Sequence, residues 1–253
     1  MKISVIAPCL NEERYLPMFL KSLQHQTFKD FEVVLVDGKS VDATPRIIAI
    51  YAPKLDLKVV VDATRNFGYL RNVGAAHAEG MIHFQTSVDT YFEPNLLQEV
   101  ARFYDLHPNC VSLAGRTFPL GTSLMAHLGY QIFDFLRYLF TVYPMPIRKY
   151  RPSGNFTTMR RKAYDRAGGY PEVTVNEDGL MGQRLDLYAL KNHRAVNFNL
   201  RLYVGHHARK FEKMGGVRAI LFYFYTLANL FPMLKPFVKH IEWKAGKVFE
   251  GKT

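Results

Sequence analysis

Two cysteines, Cys9 and Cys110, and a single tryptophan, Trp243, are all that this 253-residue chain carries of either type. Two thiols are too few for a disulfide scaffold or a thiolate zinc site, and they fit a reduced cytosolic state as well as any other. Acidic residues are also scarce: 22 Asp and Glu stand against 33 Lys and Arg, a formal charge of +11. No apolar run reaches the roughly 20 residues that a spanning helix needs. Ala219 to Leu234 comes nearest and is interrupted by Thr226, Asn229 and Pro232. The opening run, Ile3 to Leu10, is short, contains Pro8 and leads into Asn11-Glu12-Glu13, so it does not read as a signal peptide and a mature cytoplasmic start is expected. Internal repeats and low-complexity segments are missing too.

What remains is 48% hydrophobic and 22% charged residues, a composition that fills a core and excludes disorder, collagen and coiled coil as descriptions of the whole chain. The length allows one large domain or two small ones. From Arg209 onward nine Lys and Arg face three Glu, so six of the eleven net positive charges fall in the last 45 residues.

The first 115 residues alternate strand and helix patterns, which predicts α/β architecture with a mostly parallel central sheet flanked by helices. Strands are expected at Ile3 to Ala7, Phe31 to Val36, Leu57 to Val61, Met81 to Gln85 and Val111 to Thr117. Asn11 suits the cap of a helix whose Leu16, Phe19, Leu20 and Leu23 recur at helical spacing. Thr44-Pro45 starts a second helix, Phe67 to Ala78 forms a third and Pro94 opens a fourth. Leu124 to Tyr143 carries apolar and aromatic residues on more than one helical face, and such a helix is buried, docked on a partner or dipped into a lipid interface. A boundary is expected near Gly215-Gly216, giving a domain of residues 1–212 and a basic, aromatic-rich helical extension over 213–253.

Polar residues gather at the carboxyl ends of the expected strands, where open α/β sheets bind ligands. Asp37-Gly38-Lys39-Ser40-Val41-Asp42-Ala43-Thr44 joins a carboxylate, a tight turn and a helix start, and reads either as a well-capped turn or as one wall of a crevice. Asp62 ends the third strand in the same way. Arg71-Asn72-Val73-Gly74 follows on a helix, where a guanidinium either pairs with a diphosphate or faces solvent. Ser87-Val88-Asp89 comes after the fourth strand: a carboxylate there suits Mg²⁺ or Mn²⁺ on a diphosphate, or simply caps a loop. Glu177-Asp178 begins a helix after the turn-rich Gly168-Gly169-Tyr170-Pro171-Glu172, as dipole-stabilising carboxylates or as a general base. His206-His207-Ala208-Arg209-Lys210 follows a last strand, Leu200 to Val204, and offers metal or phosphate ligands or two neighbouring surface histidines.

In order and spacing these motifs, together with Ser4-Val5-Ile6-Ala7-Pro8-Cys9-Leu10-Asn11-Glu12-Glu13, resemble the inverting family 2 glycosyltransferases with the GT-A fold, over about residues 1 to 212. The resemblance implies a hexosyltransferase that takes a sugar from a nucleotide-sugar donor, a UDP- or GDP-sugar. Pro8, Asn11 and Glu12 would lie beside the nucleotide, Asp37 on the base or ribose, and Asp62, Arg71 and Val88 along the same pocket. Asp89 would match the last Asp of the family's Asp-x-Asp motif and hold Mn²⁺ or Mg²⁺, and Asp178 would match the catalytic base. The first Asp of that motif is Ser87 here, so the cation leans on Asp89, the diphosphate and His206 or His207. Arg209 and Lys210 resemble a basic loop that closes over the diphosphate in some relatives.

The acceptor is expected to be a hydroxyl on a glycan or a lipid-linked molecule. Polyprenyl-phosphate sugar synthases of the same family tend to carry a Gly-rich Lys-Gly-Leu-Gly-type segment where this chain has Asn66-Phe67-Gly68-Tyr69-Leu70-Arg71, and that class stays as an alternative beside a non-catalytic nucleotide-sugar binder. The basic, aromatic tail suits an anionic membrane surface on the cytoplasmic side or packing against the domain or a second copy. Nucleic acid is not expected, since no recognition fold accompanies the charge. A dinucleotide oxidoreductase is excluded by the lack of Gly-x-Gly-x-x-Gly after the first strand.

Overall fold

A computed structural model describes residues 1–121, 124–143, 150–173 and 176–207, so Arg209 and the expected extension over 213–253 lie outside the described residues. Contacts separate a main unit, Met1–Phe118 with Asp134–His206, from a second unit that takes in Pro119–Phe133 and His207. Every candidate site residue except His207 and Arg209 falls in the main unit.

The expected alternation is present. Strands β1 (Ile3–Cys9), β2 (Phe31–Asp37), β3 (Leu57–Val61) and β4 (Ile82–Gln85) pair in parallel, and helices α1 (Leu16–Gln24), α2 (Thr44–Tyr51) and α3 (Phe67–His77) connect the first three of them to the strands that follow. All seven residues of β1 and of β2 are buried, as continuous apolar runs require in strands covered on both faces. Pro8 is tolerated in β1 because β4 pairing ends at Ile6↔Gln85, so the missing N–H costs no bond to that neighbour. Leu16, Phe19, Leu20 and Leu23 are all fully buried, but α1 begins at Leu16 rather than after an Asn11 cap. Asn11 instead sits in the left-handed region at φ 53°, where Asn is tolerated better than most residues.

Beyond β4 the architecture departs from expectation. The chain continues through β5 (Thr90–Phe92), α4 (Leu96–Leu106), β6 (Cys110–Leu120), α5 (Leu124–Val142), β7 (Thr157–Arg160), α6 (Arg161–Ala167), α7 (Glu177–Lys191) and β8 (Ala195–His207). The strand order is β3-β2-β1-β4-β7-β6-β8-β5, with β4/β7, β6/β7 and β5/β8 antiparallel. The sheet is therefore mixed, not mostly parallel. Periodicity finds strands but carries no direction, and only the first four strands are set in register by helical crossovers.

Phe84 of β4 joins the two halves. Its ring lies 4.8 Å from Phe92 of β5 and 4.8 Å from Phe156, just before β7, and Phe19 of α1 meets Phe92 edge-on at 5.9 Å. All four rings are fully buried, each worth about 1.5–3 kcal/mol by burial. Helix α5 inverts the usual arrangement: Asp134, Arg137 and Thr141 are buried while Phe135 and Val142, with Tyr143 just after the helix, are exposed. Among the described residues no helix is long and apolar enough to cross a membrane.

Two buried titratable groups sit at the opposite end of the sheet from the motifs. Glu32 is fully buried and accepts bonds from Ser4 Oγ at 2.6 Å and the Glu79 amide at 2.6 Å, with Lys58 Nζ at 2.8 Å. Burial works to raise its pKa, but those donors outweigh it and hold the carboxyl at about 2. Fully buried His83, 5.3 Å from the Tyr164 ring, has no partner on either ring nitrogen, and burial with the Arg161 charge holds it down at about 4. Both groups bind fewer protons folded than unfolded, so each contributes stability above its ordinary pKa that is lost on acidification. The window is 6.5 to about 4 for His83 and 4.5 to about 2 for Glu32. Urea midpoints measured across pH are expected to fall through both windows. His83→Leu should flatten the upper window, worth about 3 kcal/mol, and leave the lower one in place.

Candidate functional site

The first cluster forms where β1 and β2 end. Asp37, buried at the tip of β2, accepts from the Ser40 amide at 3.0 Å and Ser40 Oγ at 2.6 Å through Oδ1. The loops after β1 and β2 are stitched together. Asn11 N donates to Ser40 Oγ at 2.9 Å, Val41 N to Asn11 Oδ1 at 2.9 Å, Glu12 N to Thr44 Oγ1 at 2.8 Å, and Ala43 N to Glu13 Oε2 at 3.0 Å. Asp62 joins through its own amide, which donates to the Asp37 carbonyl at 2.9 Å. The Asp62 carboxylate takes the Thr64 amide at 2.9 Å, and bonding to Thr64 lowers its pKa. Asn11, Glu12, Asp37 and Asp62 thus share one wall, and Pro8 lies at its base in β1.

The second cluster surrounds Asp89. Antiparallel pairing of β4 with β7 sets Gln85 opposite Thr157, which brings the segment before β7 against the loop after β4. Ser87 Oγ bonds Asp89 Oδ1 and lies 2.9 Å from the Asn155 side chain, while Thr86 Oγ1 donates to the Asn155 carbonyl at 2.8 Å. A hydroxyl has one proton to give, so with that proton on Asp89 the Asn155 amide presents its NH₂ to Ser87. Pairing of β5 with β8, Thr90 opposite His206, places His206 Nε2 at 3.5 Å from Asp89 Oδ2. Asp89 and His206 provide one carboxylate and one imidazole, and no group of three Asp, Glu, His or Cys able to hold a metal exists among the described residues. Such a set fits a divalent cation only if diphosphate oxygens and water complete the coordination.

The third cluster centres on Asp178, in the first turn of α7. Its Oδ2 accepts the Gly154 amide at 2.8 Å and its Oδ1 the Gly179 amide at 2.7 Å. Each carboxylate oxygen keeps a further lone pair for a substrate proton. Glu177 is engaged elsewhere: its Oε1 lies 3.7 Å from Arg71 Nε.

Arg71 ties the second and third clusters together. Almost completely buried in α3, its guanidinium donates to Gln85 Oε1 at 3.3 Å, the Thr86 carbonyl at 3.2 Å and the Gly154 carbonyl at 3.0 Å, and stands 5.5 Å over the Tyr170 ring. A Cβ on Gly154 would lie 2.9 Å from Arg71 Nη2, so a larger residue there would push the guanidinium from its place. Asn72 bonds the neighbouring loop from the same helix, taking Tyr164 OH at 2.6 Å and Tyr170 N at 2.8 Å and giving to Tyr170 O at 2.9 Å. Gly68, one turn earlier, has the Pro171 carbonyl where a Cβ would stand. The Arg71-Asn72 and Gly168 to Glu172 motifs are two sides of one contact.

Asp89, Asp178 and Arg71 are thus assembled around residues 153–155, and the Asp37 group lies further along the same strand ends. Val88 is buried in the apolar core, His207 is the last residue of β8 in the second unit, and Arg209 is outside the described residues. Sequence reasoning passed over Asn155 as a partner of the Asp89 loop and did not single out Arg151, which feels the Asp178 charge. Asn155 lies in the short Ser153-Gly154-Asn155-Phe156 stretch ahead of β7 and Arg151 two residues before it, and neither stands in a motif that marks it alone. The thiols take no part: Cys9 and Cys110 are buried, and burial pushes Cys110 up to about 11. Replacing Arg71 with Met leaves Glu177 and two carbonyls without their cation and is expected to cost about 2–4 kcal/mol in urea unfolding, with Arg71→Lys recovering part of it.

A family model described as "Glycosyl transferase family 2" matches residues 4–168. The poly(ribitol-phosphate) beta-N-acetylglucosaminyltransferase TarS of Staphylococcus aureus is 40% identical over 117 residues, 45% of this chain and 20% of that protein. A PGL/p-HBAD biosynthesis glycosyltransferase of Mycobacterium bovis is 37% identical over 107 residues, 41% of this chain and 42% of that protein. The chain therefore spans well under two thirds of the length of these curated relatives. Among solved structures, S. aureus TarS 1-349 in complex with UDP gives a TM-score of 0.65 at 26% identity, over 88% of this chain and 65% of that one. The mannosyltransferase PcManGT from Pyrobaculum calidifontis, in complex with GDP-Man and Mn²⁺, gives 0.69 over 95% of this chain and 68% of that one. At 18% identity the second likeness is one of fold alone.

Proposed function

Because the chain belongs to glycosyl transferase family 2, we propose that its domain of residues 1–212 transfers a sugar from a nucleotide-sugar donor to an acceptor hydroxyl with inversion. One observation carries the reading: residues 153–155 hold Asp89 and Asp178 on the same short segment, through Asn155 on Ser87 and through the Gly154 amide on Asp178. The donor's leaving group and the acceptor's proton thereby have fixed positions relative to each other.

In this reading the wall of Pro8, Asn11, Glu12, Asp37 and Asp62 receives the base and ribose, with Val88 behind the sugar. A UDP-sugar is favoured by the likeness to S. aureus TarS 1-349, solved in complex with UDP and with UDP-GlcNAc, at 26% and 25% identity. Asp89 and His206 would hold Mn²⁺ or Mg²⁺ together with the diphosphate oxygens, and the cation would supply charge to offset the departing diphosphate. Arg71 serves the pocket by bracing it, since its donors engage protein oxygens. Asp178 accepts the hydroxyl proton as the acceptor oxygen bonds the anomeric carbon and the bond from that carbon to the diphosphate oxygen breaks. Attack from the face opposite the leaving group inverts the centre.

The acceptor is a glycan or lipid-linked hydroxyl. The outward Phe135, Val142 and Tyr143 of the α5 region and the basic tail support contact with an anionic membrane surface as a peripheral, cytoplasmic enzyme.

The test is a panel of UDP-, GDP-, dTDP- and CMP-sugars with and without Mn²⁺, read as the shift of the thermal midpoint and as donor turnover. One nucleotide class should raise the midpoint, more so with metal, and Asp89→Asn should abolish the metal increment. Asp178→Asn should keep the donor shift and lose about 100-fold or more in transfer. Full transfer by Asp178→Asn would remove Asp178 from the base role, and binding without turnover by the native chain would favour a non-catalytic binder.

A further inference from the structure

Arg151 is a cation without an acceptor. Its carbonyl takes Arg137 Nε at 2.6 Å, but its guanidinium makes no hydrogen bond among the described residues, and its Nε is sealed from solvent. The side chain is half-buried, and burial lowers its pKa while the Asp178 charge raises it. It lies against the first turn of α7: a Cβ on Gly179, the residue after Asp178, would come within 2.6 Å of Arg151 Nη1. Asp178 is near enough to attract it, yet among the described residues the Asp178 oxygens accept backbone amides and no bond joins them to the guanidinium.

The placement is built. Arg137, which holds the Arg151 carbonyl, is paired with Asp134 at 2.6 Å, and Asp134 takes the Thr117 amide at 2.8 Å, so the buried polar face of α5 anchors this segment. Tyr150 OH meets Ser112 Oγ at 2.8 Å on one side. On the other, the Pro152 ring packs where a Cβ of Gly182 would stand. With the main chain on both sides of Arg151 fixed in this way, a ligand that engages the guanidinium has only its side chain to order. Arg71 Nε, 3.7 Å from Glu177 Oε1, and Gln85 Nε2 are likewise buried without a hydrogen bond among the described residues. A half-buried guanidinium fork with no hydrogen-bonded acceptor among the described residues, beside the group that takes the acceptor's proton, matches the paired oxygens of a phosphate or carboxylate.

We propose that Arg151 binds an oxyanion carried by the acceptor next to the hydroxyl that reacts, making it a specificity-determining residue. The inference rests on Asp178 being the base of a sugar transfer. The acceptor is then an anionic polyol or glycan, with the charge on a phosphate ester or a carboxylate.

The test uses the full chain saturated with whichever nucleoside diphosphate raises its thermal midpoint, so that the diphosphate position is filled. Glycerol 3-phosphate, glycerate and glycerol are titrated as probes. An oxyanion should raise the midpoint further where glycerol does not, and the phosphate and carboxylate arms identify which group the site takes. Arg151→Gln should weaken that oxyanion's apparent affinity by 10-fold or more while keeping the nucleoside diphosphate shift, and Arg151→Lys should recover part of the loss. Equal responses to all three probes, or an unchanged response in Arg151→Gln, would overturn the proposal. Should Arg151→Gln lose its nucleotide response, Arg151→Lys decides: an affinity equal to the native chain overturns it, an intermediate one supports it. Absence of any nucleotide shift in the native chain overturns the transferase reading itself, and the acceptor inference with it.

Discussion

The antiparallel ladder between β4 and β7 is the constraint on which the candidate site depends. With Ile82 opposite Arg160 and Gln85 opposite Thr157, residues 153–156 must arrive where the chain leaves β4 toward Asp89. A register shift by one residue would reverse which face each side chain occupies. It would turn Phe84 away from Phe156 and break the buried aromatic contact that fixes the ladder from below. Packing under the sheet and polar geometry above it are therefore consequences of one pairing.

Arg71 extends that constraint sideways. A guanidinium taken out of water is expensive unless its donors find acceptors, and here the acceptors come from three separate pieces of chain: Gln85 with Thr86 after β4, Gly154 before β7, and Glu177 at the start of α7. Removing any one piece leaves the charge underpaid, so the three positions hold one another. Glu177 and Asp178 divide the labour of an adjacent acidic pair, because Glu177 faces this buried cation while Asp178 bonds amides and keeps lone pairs for another group.

Local chemistry was legible in the sequence where a single element carries it. The unbroken apolar run of β2 and the 16, 19, 20, 23 spacing of α1 report burial directly, and both elements form where the pattern puts them. Three-residue β5 and seven-residue α6 are too short to show a period. In β8, thirteen residues long, exposed and buried positions alternate unevenly, so only its apolar centre was visible. Strand direction is a property of connections rather than of composition, which is why the sheet turned out mixed. In the site, Asp37, Arg71, Asp89 and Asp178 stood out as motif residues, whereas Asn155 and Arg151 acquire their surroundings from β4, α5 and α7, far away in sequence. Arg71 also shows a limit of motif reading: its type and position suggest a diphosphate ligand, yet its donors are spent on the protein.

Ser87 changes the electrostatics of the proposed metal position in a specific way. Two carboxylates at positions 87 and 89 would repel in a partly buried loop and would call for a cation to relieve the strain. A hydroxyl in the first position does the reverse, since it donates to Asp89 and satisfies one of its oxygens without any metal. The loop is then stable with the cation absent, and a cation entering it must compete with the Ser87 proton and with His206, 3.5 Å from the other Asp89 oxygen. Only a partner bringing its own negative oxygens tips that competition, because each oxygen added to the coordination shell offsets a ligand the protein lacks. Cation and diphosphate are therefore expected to enter as a pair, with the metal's affinity set by the nucleotide rather than by the protein alone.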